Sequence, residues 1–194
     1  MRTRIAAVAL LTVLAAARAE AAPSWMSPEK SGPFMFNLQI GPAIGARNAI
    51  NMGALVLDFG FALDHGHHAY LLFPLQFQFA NAGVTVLGVS NDYTIGYIMV
   101  PVGFQYDIAI PPAPGLYISP RIVGGYMAAT ASCNGCNTTN NGFIAPEVAV
   151  KLVIAKRWNV GLVPFSLPIF INVTNGNTST SIDYRSLFFA GVNF

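Results

Sequence analysis

From Phe34 to the end of the chain, apolar side chains recur at every second position, the period of a β-strand. Phe34, Phe36, Leu38, Ile40 and Ile44 alternate with Met35, Asn37, Gln39, Gly41 and Ala43. Leu55, Leu57, Phe59, Phe61 and Leu63 alternate with Val56, Asp58, Gly60 and Ala62, and Leu71, Phe73, Leu75, Phe77 and Phe79 with Leu72, Pro74, Gln76 and Gln78. The same rhythm runs through Ile98 to Ile108, Leu116 to Tyr126, Ile144 to Ile154 and Val163 to Ile171. It closes with Ile182, Tyr184, Phe188, Val192 and Phe194. Eight strands are predicted, and no helical stripe competes with them.

The connections alternate as well. Asp64 to His68, Pro111 to Gly115 and Lys156 to Asn159 read as compact turns. Asn81 to Asp92, Ala131 to Asn141 and Asn172 to Thr180 read as longer loops rich in Asn, Thr, Ser and Gly. Arg47 to Asn51 is a shorter connection at that same end. Short turns at one end and long loops at the other are the layout of an up-and-down barrel in an outer membrane, with the short turns periplasmic.

Composition decides which face meets what. Only 9% of residues are charged and 54% are hydrophobic. That excludes disorder, and it leaves no basic face for nucleic acid. The charges within strands are Asp58, Asp107, Arg121, Glu147, Lys151, Asp183 and Arg185, and each stands in the less apolar class of its strand. A base facing lipid at the midplane costs about 2–4 kcal/mol. The charged class therefore points inward, and the long apolar class, with Phe59, Phe61, Phe104 and Tyr106 low and Phe77, Phe79 and Tyr126 high, forms the exterior and its aromatic girdles. A secreted soluble ligand-binding barrel is the alternative for the same alternation. It needs a polar class far richer in Lys and Glu than this one.

The start of the chain is of another kind. Arg2 and Arg4 precede an apolar run from Ile5 to Ala17, and Ala19-Glu20-Ala21 presents small residues for cleavage. This is a secretory signal peptide over 1–21. It is too short for the roughly 20 residues of a spanning helix. Residues 22–33 are then an N-terminal periplasmic segment and 34–194 the barrel. Of ten bases and eight acids, the signal carries away Arg2, Arg4, Arg18 and Glu20, so the mature chain is neutral.

With these features the chain resembles the small eight-stranded outer-membrane barrels of the OmpA, OmpX and OmpW type. The last strand, Tyr184 to Phe194, adds to the resemblance. It ends in a C-terminal Phe after aromatics at alternating positions, as in the signal read by the barrel-insertion machinery, here Tyr184, Phe188 and Phe194. The resemblance implies a Gram-negative source, outer-membrane lipid and that machinery as partners, and no cofactor. Seven prolines, Pro42, Pro74, Pro101, Pro120, Pro146, Pro164 and Pro168, depart from the pattern, because each removes a ladder hydrogen bond.

Three groups bear on chemistry. The seven inward charges read as an ion-pair network that plugs the lumen, since unpaired charges are too costly in a low-dielectric interior. The alternative is a polar constriction on a narrow path for small or apolar solutes. Leu72, Met99, Val123 and Met127 make that interior less polar than a water-filled pore. Cys133-Asn134-Gly135-Cys136 has no second pair for a zinc site, and a small disulfide between Cys133 and Cys136 is expected in this exported loop. His65, His67 and His68 all sit in one short turn, so no His stands at the outer end to activate a Ser. The reading is a non-enzymatic barrel with a structural or surface-interaction role.

Overall fold

The computed structural model describes residues 29–45, 51–86, 89–111, 113–132, 139–174 and 177–194. Ten strands form one antiparallel sheet: β1 (Phe34–Gly45), β2 (Asn51–Ala62), β3 (Ala69–Val86), β4 (Val89–Tyr106), β5 (Ile108–Ala109), β6 (Leu116–Ser132), β7 (Thr139–Ile154), β8 (Trp158–Ser166), β9 (Ile169–Thr174) and β10 (Asn177–Asn193). β5 continues β4 past Asp107, and β9 continues β8 past Leu167 and Pro168, so the ten pieces make eight staves. Each stave pairs with the next. β10 also pairs back to β1, from Met35↔Asn193 to Gly45↔Asp183, and the ring is closed. Closure leaves no free edge, which an apolar solvent demands of a sheet.

The two alternation classes separate as the period requires. Ile40, Val100, Phe165, Phe188 and Phe194 stand exposed on the outer wall, while Asp58, Asp107, Arg121, Glu147, Lys151 and Arg185 are buried inside it. A soluble ligand-binding barrel needs the reverse arrangement. An aromatic belt rings the short-turn end, hereafter the base. Phe34 packs on Phe61 and Phe194 with ring centroids 5.4 and 5.8 Å apart, and the exposed indole of Trp158 joins them.

Two expectations change. Much of what reads as outer loop is ladder. β3 and β4 stay paired up to Val86↔Val89 across most of the 81–92 span, β6 runs to Ser132 and β7 resumes at Thr139, and β9 reaches Thr174 before β10 starts at Asn177. Their Asn, Thr and Gly content matches a loop, but pairing with an equally long neighbour overrides that preference. At 18 residues each, β3 and β4 exceed the roughly 9–11 a tilted strand needs to cross a bilayer.

The second change is at Val163, expected on the outer wall but fully buried in the lumen. An extra residue sits in β8 there: the register steps from Glu147↔Ser166 and Val148↔Phe165 to Val150↔Leu162, and likewise from Arg185↔Ser166 to Leu187↔Val163. Such a bulge shifts the facing by one residue, and Pro164, with no amide hydrogen to donate, occupies it. The other prolines sit at comparable relaxations. Pro74 falls opposite Pro101 where the β3–β4 ladder is interrupted between Leu72↔Gly103 and Gln76↔Met99. Pro168 lies in the break between β8 and β9.

Candidate functional site

The lumen is the candidate site, and it is built in layers. In the middle, the register lines up one polar row across neighbouring staves: Gln105↔Arg121, Arg121↔Glu147, Glu147↔Ser166 and Ser166↔Arg185 are each directly opposed pairs. Directly opposed side chains are the closest neighbours a sheet offers. Arg121 reaches Glu147 at 3.3 Å and, across the lumen, Asp58 at 2.9 Å. Asp58 also accepts a hydrogen bond from Gln39 Nε2 at 2.9 Å. Arg185 holds Glu147 at 3.3 Å, donates to Gln76 Oε1 at 2.6 Å and donates from Nε to Ser166 Oγ at 3.2 Å. Ser166 in turn donates to Glu147 Oε1 at 2.7 Å. Two acids and two arginines thus alternate in one buried chain, which is the arrangement that offsets their desolvation.

The base holds a second charged cluster around Asp107. One carboxylate oxygen, Oδ1, accepts from Gln105 Nε2 at 2.7 Å and Ser119 Oγ at 2.6 Å. The other takes the ammonium groups of Lys151 and Lys30, the latter at 2.5 Å. Lys30 was not expected here. It lies before the first strand, in the segment assigned to the periplasm, and no alternation rule reaches it. The chain carries it inward through backbone bonds at its neighbours: Ser31 N–H donates to Lys156 O at 2.8 Å and Ala62 N–H to Pro33 O at 2.7 Å. Burial pulls the Lys30 ammonium down to about 8, and the nearby Lys151 charge adds to this while Asp107 opposes it. Beside this cluster Asn159 and Asn193 exchange side-chain hydrogen bonds of 2.9 and 3.0 Å.

Above the middle row the interior turns apolar. Met99, Met127, Phe143, Ala145 and Phe170 pack together from four staves, and Met52, Ala54 and Val56 line the facing wall. Leu72, Met99, Val123 and Met127, expected inside, are all buried in the lumen. Asp183 lies inward near this level. Of the seven expected charges, Asp58, Arg121, Glu147 and Arg185 form the middle network and Asp107 and Lys151 the base.

Among the described residues no group of three or more His, Cys, Asp or Glu is placed to hold a metal. His67 offers its carbonyl to Lys30, and Asp64 caps the turn by accepting from the backbone of His68 and Ala69 at 2.8 and 2.7 Å. Burial works to raise its carboxyl, but those bonds together outweigh it and hold the group below the usual range. Tyr184, Phe188 and Phe194 project outward. Cys133 and Cys136, and the signal peptide over 1–21, lie outside the described residues.

Neither a family model nor a curated protein sequence matches the chain. Solved structures do. Neisserial surface protein A superposes with a TM-score of 0.53 at 8% identity, covering 83% of this chain and 96% of that one. The attachment invasion locus protein Ail of Yersinia pestis gives 0.48 at 10% identity, covering 86% and 99%. Ail in complex with the heparin analogue sucrose octasulfate gives 0.48 at 10% identity, covering 84% and 97%. At such identities the likeness is one of fold: this chain has the architecture, and the apolar exterior, of the small eight-stranded bacterial outer-membrane β-barrels.

Proposed function

We propose that this is an integral outer-membrane barrel with a side-chain-filled lumen, working as a structural or surface-interaction protein without catalysis. The observation that carries the reading is the buried chain Asp58–Arg121–Glu147–Arg185, which spans the lumen at mid-height. It has the apolar collar of Met99, Met127, Phe143 and Phe170 above it and the Lys30 cluster below. An ion would have to break paired charges to pass. The long β3–β4 ladder supports the surface role, because it carries backbone well past the length a bilayer needs.

Single-channel recording in a planar bilayer tests the reading. The parent protein is expected to show no unitary steps. Steady openings in the parent would overturn the filled-lumen reading.

A second reading, a narrow channel for small or apolar solutes, has one observation in its favour. Gln78 is fully buried toward the outer end, and neither its amide nitrogen nor its oxygen has a partner among the described residues. Liposome swelling with a neutral solute, against the same vesicles with an ionic one, separates the two. Swelling by the neutral solute alone favours the second reading.

A further inference from the structure

The base of the barrel is organised around an ammonium group. Lys30 Nζ meets the Asp107 carboxylate at 2.5 Å and the His67 carbonyl, and it lies 5.1 Å from the ring centroid of Tyr70 and 4.6 Å from that of Tyr117. A carboxylate, a carbonyl oxygen and two aromatic faces are the donor set of a site for an organic cation. The rings are fixed by the sheet: Tyr70 opposes Gln105 and Tyr117 opposes Lys151 across their ladders. Asp107 is fixed by Gln105, Ser119 and Lys151, and its own N–H donates to His68 O at 2.8 Å. The cup therefore stands on strand residues and the turn between β2 and β3. Lys30 joins it from the segment before the first strand.

The segment around Lys30 is attached at the rim by a few bonds. Ser31 bonds Lys156 O through its amide and its hydroxyl and Asn193 O through its hydroxyl, Ala62 N–H bonds Pro33 O, and the Glu29–Lys156 pair is solvent-exposed. An exposed pair of this kind contributes little. One further polar group in the cup has no hydrogen-bond partner among the described residues: the Tyr70 hydroxyl, on a side chain with no exposure.

We propose that this cup is a primary-amine receptor at the periplasmic mouth, that Lys30 is its ligand in cis, and that the docked segment Glu29–Pro33 is a removable stopper. A free primary amine fits the site that Lys30 leaves. The receptor stands on the base geometry and not on the surface role proposed above.

Two measurements on the full barrel in detergent micelles test it. In the first, an amine-acylating reagent is added to the folded parent, and labelling is read residue by residue. Lys156, exposed at the β7–β8 turn, should react at least about tenfold faster than Lys30, whose reaction awaits local opening. Asp107→Asn should bring Lys30 toward the Lys156 rate. Equal rates in the parent would overturn the docking. In the second, Lys30→Ala is melted in propylammonium chloride and in sodium chloride of equal ionic strength. The midpoint should rise with propylammonium in Lys30→Ala but not in the parent. The rise should vanish when Tyr117→Ala is added. Equal midpoints in the two salts would remove the receptor while leaving the docked tail, and a rise that survives Tyr117→Ala would place the amine elsewhere.

Discussion

The two charged layers of the lumen contain similar groups but differ in how they are held. In the middle, Asp58, Arg121, Glu147 and Arg185 all project from strands whose register is fixed on both sides. At the base, Asp107 and Lys151 are wall residues, but the second ammonium arrives on a segment outside the wall. A fixed network has no way to relax when a member is lost. A network with a detachable member can export a charge to water. The middle layer is therefore rigid and the base adjustable.

The largest expected effect follows from that difference. Arg121→Ala removes the group that joins Asp58 to Glu147. Glu147 keeps Arg185, but Asp58 keeps only the Gln39 amide and is left as a buried charge without a cation. Breaking one partner from a buried pair costs about 3–5 kcal/mol. Urea unfolding in lipid vesicles, followed by the gel shift between unboiled and boiled samples, reads this directly. An unchanged midpoint would mean that the middle network carries no stability.

Asp107→Asn ranks next. On paper it is as severe, since it leaves two ammonium groups facing each other among Tyr70 and Tyr117. Lys30 can withdraw with its segment, however, and take one charge into water. The cost is then that of the lost charge-assisted hydrogen bonds, about 1.5–3 kcal/mol. The comparison fails if Asp107→Asn destabilises as much as Arg121→Ala, for then the base is as rigid as the middle.

How much of this was legible in the sequence follows the same division. Alternation places every strand charge inward, because period two leaves no choice once one face is lipid. The direct opposition of Arg121 to Glu147 needs register, and eight strands of unknown offset do not supply it. Val163 is misplaced by alternation because a bulge adds one residue without a signature other than Pro164 beside it. Lys30 has no pattern around it at all. The single sign was its composition: a lysine shortly before the first strand in a chain sparing with charge. The outer ladders were hidden for the opposite reason, since Asn, Thr and Gly describe a loop until a partner strand is known.

A finer test uses pH. Lys30 sits near 8 when docked against an ordinary 10.5, chiefly through burial, with Lys151 adding and Asp107 and Asp64 opposing. Tyr70 and Tyr117 also face it, and the His68 ring stands beside Tyr117. Between these two values the released segment holds a proton that the docked one has given up, so docking strengthens as pH rises and is flat below 8. The difference in melting midpoint between the parent and Lys30→Met isolates this residue, and it should move in the parent's favour from pH 8 to about 9.5. A bare ion-pair account predicts no change over this range, because a paired ammonium keeps its proton to above the ordinary 10.5.

The smallest effect belongs to Glu29. Its carboxylate pairs with Lys156 at the rim, and both side chains are largely in water, 70% and 57% exposed. The Lys156 hydrogen bond and charge hold the Glu29 carboxyl below its usual range, but solvent and salt screen such a pair. Glu29→Ala should leave the melting midpoint of the parent unchanged at physiological salt and the labelling rate of Lys30 unchanged with it. If Lys30 instead became reactive in Glu29→Ala, the stopper would be held at its exposed rim and not by the cup, and the contrast between a rigid middle and an adjustable base would have to be redrawn around the surface of the molecule.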